Sequence, residues 1–392
     1  MRRFGRCAGA PAKGNVEGWL RQVVWAERHI VFVAWRELRF ARGRFLLIGS
    51  VVALITLLVG FLSGLTGGLA FQNVSGVLSL PGDRIVLAQP DDGRASFATS
   101  SLDDDTVSAW RDADGVEQAT PIGIAVSRAE TTDADAVGVA LFGVPDDATG
   151  AADNALLALA PARDGQVGLS QAAADDLAAS VGDTVTITGT DFTVASVGDD
   201  LWYSHTPVVA LTPSAWSAAS ERVGGTGEPT ALAVSGDADW QAIAADTSTS
   251  AATPLASLTG LETFTSEIGS LALMIAMLFG ISALVVGAFF TVWTMQRAAD
   301  IAVLKALGAT TGSLARDALG QALVVLVAGI GVGVAAVAGL GALAGQALPF
   351  VLSPLTTLLP GVVLAVLGLA GAAFALRFVT SADPLTALGS NR

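Results

Sequence analysis

The sequence predicts a membrane protein of four transmembrane helices, with a soluble α+β domain inserted between the first and second. Three observations carry that prediction. Hydrophobic residues make up 52% and charged residues 14% of the 392-residue chain, too apolar for an ordinary soluble domain and too interrupted by polar sequence for a wholly intramembrane one. Uncharged stretches run over residues 45–82, 268–296 and 318–376. Charge is also partitioned: residues 68–267 hold 29 acidic side chains against six arginines, a net charge of −23, whereas the remainder holds 15 basic and 6 acidic side chains, or +9.

Residues 1–44 read as a cytoplasmic segment. Leu20, Val23, Val24, Val31, Ala34, Trp35 and Leu38 fall at helical spacing among arginines, the pattern of a helix lying at a membrane interface. The start lacks the cleavable end of a signal peptide, and its basic cluster suits an uncleaved anchor; an alternative reading starts the protein near Val31 or Val33. Roughly 20 apolar residues cross a bilayer, so the first span is placed at 45–67. The extracytoplasmic domain follows at 68–267 and the second span at 268–295. A charged loop occupies 296–317 and the third span 318–345. An external turn at 346–355, a fourth span at 356–378 and a cytoplasmic tail at 379–392 complete the chain. The 59 uncharged residues from 318 to 376 would measure about 88 Å as one helix, so they should fold back once, with Pro349, Pro354 and Pro360 marking the reversal.

Orientation follows from the basic residues. Arg36, Arg39, Arg42 and Arg44 precede the first span, Arg297, Lys305 and Arg316 lie between the second and third, and Arg377 ends the fourth. The positive-inside rule places these, and both termini, in the cytoplasm. The acidic domain is then outside. The only cysteine is Cys7, so this domain relies on its apolar core rather than on disulfides. A net charge of −14 argues against nucleic acid as a partner.

Within the domain, short β-branched runs at 83–89, 136–144, 183–189, 191–198, 206–212 and 230–236 read as strands. Residues 170–180 read as a short helix capped by Ser170. The acidic residues are scattered through loops as a solvated surface, without EF-hand spacing or a histidine cluster, so neither a metal site nor an intrinsic cofactor is expected. With one histidine and no cysteine, the domain also lacks a convincing catalytic set.

The loop after the second span is the most informative segment. In "QRAADIAVLKALGAT" (296–310), Ile301, Leu304 and Leu307 recur on one face, Arg297 and Asp300 are i,i+3 neighbours, and Gly308 can supply a left-handed C-cap. A simple reversal needs a few polar residues, whereas this loop builds a semi-apolar helical knob suited to docking a soluble partner.

That loop resembles the one after the second helix in FtsX/MacB-type ABC transporter permeases, whose pattern is approximately Arg-x-x-Glu-Ile-x-x-Leu-Arg/Lys-x-Leu/Ile-Gly-Ala. The match covers Arg297, Ile301, Leu304, Lys305, Leu307, Gly308 and Ala309, with Asp300 in place of the usual glutamate. The "DPLTAL" tail at 383–388 and the stretch "GLSQAAADDLAASVGDTVTITGTDFTVASV" are similar to other parts of that family. The resemblance implies the MacB/FtsX-like permease fold. It further implies a permease homodimer in membrane lipid, working with two copies of a separate ABC ATPase that contacts the loop through Arg297, Asp300, Ile301, Leu304, Lys305, Leu307 and Gly308. The residues agree that ATP is handled on a partner subunit. A phosphate-cradling Walker loop needs Gly-Lys-Ser/Thr, and the only lysines, Lys13 and Lys305, precede Gly14 and Ala306.

"RELRFARGRFLLIGSVVALITLLVGFLSGLTGGLA" and "LWYSHTPVVALTPSAW" look most like HrtB-type haem-exporter permeases. Haem as the exported substrate is what this implies. Candidate contacts can be located from the residues. Met274 and Met277 are i,i+3 on the second span, about 9 to 14 Å below its outer end, and thioethers ligate haem iron. Glu267 stands at the rim, and Tyr203 and His205 are the only tyrosine and histidine of the domain. Against these, methionine in a bundle commonly fills gaps. Gly60 and Gly64, and the glycines from 329 to 345, read as tight helix packing. Two rivals remain: an FtsX-like regulator of cell-wall hydrolases, and an exporter of peptide, lipid or lipoprotein.

Overall fold

The computed structural model describes residues 42–90, 93–132, 135–145, 154–296, 303 and 310–380. In chain order it begins with helix α1 (Arg42–Leu78), strand β1 (Arg84–Ala88), helix α2 (Asp104–Arg111), β2 (Val116–Glu130) and β3 (Val137–Gly143). Next come β4 (Gln166–Ser170), α3 (Gln171–Asp176), β5 (Thr184–Ile187), β6 (Thr190–Gly198), β7 (Trp202–Tyr203), β8 (Thr206–Leu211) and α4 (Pro213–Arg222). The chain continues through β9 (Ala231–Gly236), α5 (Trp240–Asp246), β10 (Thr249–Ala252), α6 (Pro254–Ser257), α7 (Glu262–Gln296), α8 (Thr311–Ala344) and α9 (Pro354–Thr380). It divides into two compact units, one formed by residues 64–274 with 344–351 and the other by the remaining described residues.

Among the described residues four helices, α1, α7, α8 and α9, are long and apolar enough to cross a membrane. Three of them outrun the apolar spans. At 37 residues, α1 is about 55 Å long against a hydrocarbon core of ~30 Å, because no charge or proline interrupts the chain until Pro81. Pro354 opens α9, where the missing backbone donor costs nothing, and Ser353 and Thr356 cap that end reciprocally at 3.1 Å. Pro360 lies inside α9 rather than in the reversal, which corrects one expectation: a proline within the first two turns removes a single hydrogen bond, and the apolar run around it keeps the helix going.

All four helices contribute to the core of the helical unit, with Ile48 and Val52 from α1, Val286 and Phe290 from α7, Val325 and Leu326 from α8, and Ala372 and Ala375 from α9. The Phe45 ring meets Trp293 edge-on at 4.9 Å. Glycine allows close approach at chosen points. A Cβ on Gly333 would fall 2.5 Å from Thr56 Cβ, whereas one on Gly331 or Gly339 would meet nothing within 4 Å. The glycines of α8 therefore do not act alike: one face packs tightly and the other is open. Hydroxyls inside the helices bond backward to their own carbonyls, as Thr56 does to Val52 (2.8 Å) and Ser282 to Leu278 (2.6 Å), which satisfies them without water.

The soluble unit is an α+β domain. Its strands run in the order β10-β1-β9-β2-β3-β8-β4-β6-β5, with β7 paired to β8 and β5 paired back to β2. The 15-residue β2 serves two sheets: its first half pairs with β9 (Ile122↔Ala231) and its second with β3 (Gly123↔Gly143). Because Ala129 and Glu130 also pair with β5, the strands β2, β3, β8, β4, β6 and β5 close on themselves, which leaves fewer edges to protect. Inside lie Leu141, Leu169, Ile187, Val209 and Trp216. A second cluster gathers Ile85, Ile122, Phe142, Tyr203 and Val208 around Val74 and Val77 of α1. Trp110 anchors a third, stacked on Trp240 at 6.4 Å with its indole N–H 3.2 Å from Thr249 Oγ1. Ser170 caps α3 by accepting from the Ala173 N–H. Several carboxylates that read as surface have local structural work. Asp103 caps α2, and the Thr106 side chain and N–H hold its carboxyl below the usual range. The hydroxyls of Ser214 and Thr212 do the same for Asp164.

Candidate functional site

The candidate site is built on a two-residue hairpin. Strands β7 and β8 pair Tyr203 with Thr206, leaving Ser204 and His205 as the turn, and both are in the left-handed region (φ +47° and +65°). Mirror-image turns suit the twist of a hairpin, but glycine or asparagine is their usual occupant. Two side chains held there cost on the order of 1 kcal/mol each. What offsets that cost is docking onto α1. The Ser204 N–H donates to the Asn73 carbonyl at 3.0 Å and the His205 N–H to the Gln72 carbonyl at 2.9 Å, while the Trp202 N–H bonds Ser75 Oγ at 2.9 Å.

Beneath the turn, Tyr203 belongs to the core. It is 7% exposed, and its ring meets Phe142 (5.8 Å) and Phe97 (6.4 Å) edge-on. Burial pushes its phenol up to about 12. Tyr203 thus holds the hairpin from inside, while His205 is carried outward.

His205 Nε2 lies 2.9 Å from Glu267 Oε2, with the two side chains 33% and 42% exposed. The same oxygen accepts from Asn73 Nδ2 at 3.3 Å. Asn73 Nδ2 is also 3.5 Å from His205 Nε2, but an imidazole nitrogen whose proton faces the carboxylate cannot accept a second one. The amide proton therefore belongs to Glu267. Asn73 Oδ1 in turn accepts from Thr263 Oγ1 (3.3 Å), and that hydroxyl is 3.2 Å from Ser204 Oγ. Asn73 is 1% exposed. A part-exposed polar contact of this kind stabilises a fold by only ~0–1 kcal/mol, so stability alone does not account for a buried amide and a strained turn histidine converging on one carboxylate.

The structure thus brings together His205 and Glu267 and keeps Tyr203 apart from them. Met274 follows Glu267 by seven residues on α7, two turns or about 10 Å along the same helix face. Met274 and Met277 are exposed, at 50% and 60%. Asn73 and Thr263 are the members that sequence reasoning missed. The signal was "QN" inside an otherwise uncharged apolar stretch, where a polar side chain is a functional candidate by default. Among the described residues no group of three or more His, Cys, Asp or Glu could hold a metal ion. Of the loop residues, Arg297, Asp300, Ile301, Leu304, Lys305, Leu307 and Gly308 lie outside the described residues, as does the interfacial helix expected before residue 42.

Comparison with known families and proteins adds an independent line. Residues 45–250 match the MacB-like periplasmic core domain, and residues 272–384 match the FtsX-like permease C-terminal region. The chain is 27% identical over 362 residues to a Staphylococcus haemolyticus (strain JCSC1435) protein named for a hemin transport system as its permease HrtB; the match covers 91% of this chain and 99% of that one. A Staphylococcus epidermidis (strain RP62A) protein of the same name is 24% identical over 364 residues, covering 92% and 99%. Two solved structures align with lower scores. The periplasmic region of MacB from Actinobacillus actinomycetemcomitans has 11% identity and a TM-score of 0.33 over 46% of this chain and 92% of its own. The extracellular domain of the noncanonic ABC-type transporter YknZ from Gram-positive bacteria has 13% identity and a TM-score of 0.30 over 43% and 98%.

Proposed function

This chain belongs to the family of ABC transporter permeases with a MacB-like periplasmic core domain and an FtsX-like C-terminal region, and from that premise we propose that it exports haem from the membrane to the outside. A permease of such a system is a membrane protein with a large extracellular domain, and it works with an ATPase on another chain. The observation that carries the haem reading is the full-length match to two proteins named for hemin transport. The chemistry of the cluster supports it: Glu267 offers an anionic oxygen, and Met274, two turns along the same face, offers a thioether.

In this reading Glu267, Met274 and Met277 contact the haem, and His205 stands against Glu267 at its rim. Tyr203 contributes through the hairpin. Both termini and the 296–317 loop face the cytoplasm, where two copies of the ATPase grip a permease homodimer through Arg297 to Gly308. ATP-driven movement of that grip passes through the spans and releases substrate outward.

The test is to purify the full chain with its co-encoded ATPase and titrate haemin, comparing wild type with Glu267→Ala, Met274→Ala and Met277→Ala. A wild-type Soret band weakened by these substitutions supports the site. The same band in all three variants removes the site assignment, and no band in wild type removes haem. In the latter case the rival readings are separated by deletion: a chaining or lysis defect points to hydrolase control, and its absence to export of another substrate.

A further inference from the structure

We infer that Asn73 and His205 are positioning residues that hold one oxygen of Glu267, so that the carboxylate presents a single oxygen to the iron of the substrate. The inference rests on the haem reading for the identity of the ligand, but the geometry it uses is independent of any ligand. Both hydrogen bonds received by the Glu267 carboxylate end on Oε2, from His205 Nε2 at 2.9 Å and from Asn73 Nδ2 at 3.3 Å. Among the described residues Oε1 accepts none. An unconstrained glutamate rotates about its terminal torsion and exchanges its two oxygens; one with Oε2 held by two donors from two other elements cannot do so without breaking both bonds.

The partners are themselves fixed, which is what distinguishes a positioning shell from a chance surface contact. Asn73 is buried and its Oδ1 is taken by Thr263, so its NH₂ group has one orientation, toward the carboxylate. The His205 backbone is tied to α1 through Gln72, and its left-handed turn persists only because the surroundings hold it. Groups of this kind that orient a metal-binding side chain alter affinity by about 10- to 100-fold when removed.

The experiment uses the full chain with its ATPase partner and follows the Soret band during haemin titration. His205→Ala and Asn73→Asp are expected to weaken binding about tenfold and to shift the band. His205→Gln is expected to restore both, since a glutamine amide can donate where the imidazole did. Haemin binding lost in Glu267→Ala but unchanged in affinity and band in His205→Ala and Asn73→Asp overturns the positioning role and leaves the haem reading standing. If wild type binds no haemin, the haem reading fails, and thermal unfolding of the ligand-free protein decides the rest. Asn73→Asp sets a second carboxylate beside Glu267, so its destabilisation should be relieved by adding Glu267→Gln, and strictly additive effects overturn the inference. Should the Asn73 variant fail to fold, the His205→Ala and His205→Gln pair, each combined with Glu267→Gln, provides the same comparison.

Discussion

Tyr203 is the only tyrosine in the chain, so its phenolate absorbance during an alkaline titration reports one side chain without background from any other tyrosine. Burial in the aromatic cluster with Phe97 and Phe142 raises its ionisation from 10.0 to about 12, a preference for the neutral phenol on the order of 3 kcal/mol. The sign follows from linkage. The folded state binds the proton more tightly than the unfolded state, so this stabilisation is complete below pH 10 and is lost as pH rises toward 12. A wild-type ultraviolet titration should therefore show phenolate appearing near pH 12, or together with unfolding if that comes first. Tyr203→Phe, which keeps the ring and deletes the proton, should retain both stability near neutral pH and the haemin spectrum. Tyr203→Ala should cost about 3–5 kcal/mol through the cavity it leaves and should disturb haemin binding only by releasing the hairpin. A smooth titration at about pH 10 in the folded protein would show the ring to be solvated and refute the placement. Loss of the haemin band in Tyr203→Phe would make the hydroxyl a ligand and refute the assigned role.

Three further outcomes are expected. Gly333→Val drives a side chain into Thr56, where Gly331→Val meets open space; the first should cost about 1–3 kcal/mol in detergent thermal unfolding and the second almost nothing, and equal effects would contradict the helix packing. Ser170→Ala removes the cap of α3 and should lower stability by about 1 kcal/mol, or roughly 2–4 °C for a domain of this size; an unchanged melting temperature would show the cap to be idle. Leu304→Asp places a charge in the Ile301, Leu304, Leu307 series proposed to meet the ATPase and should reduce recovery of the ATPase on co-purification, whereas full recovery would move the docking surface elsewhere.

Much of the architecture was legible because it depends on local signals. Three uncharged stretches, the last too long for one span and divided at prolines, gave four helices, and β-branched runs bounded by Gly, Asp and Pro gave β1, β3, β5, β6, β8 and β9. The longest strand, β2, escaped notice because its two halves bury different faces in different sheets, which breaks the alternation, and because Pro121 and three charged residues interrupt it. Helices such as α2 and α5 are short, and propensity alone does not announce them. The site was half legible. His205 and Glu267 stood out by type, but their pairing spans 62 residues and that with Asn73 spans 132 and 194. Only the closed fold, not any local spacing, sets those distances. Tyr203 attracted attention by rarity, yet one residue separates a core ring from a part-exposed imidazole because the two-residue turn Ser204–His205 begins directly after it.

The proposed export of haem through Glu267 is open to direct measurement. Proteoliposomes holding the full permease and its ATPase, loaded with haemin in the bilayer and offered a soluble haem-binding acceptor on the side of the acidic domain, test it directly. ATP-dependent transfer to the acceptor is expected in wild type and its loss in Glu267→Ala; transfer that is indifferent to ATP, or equally fast in that variant, would rule out haem export through Glu267.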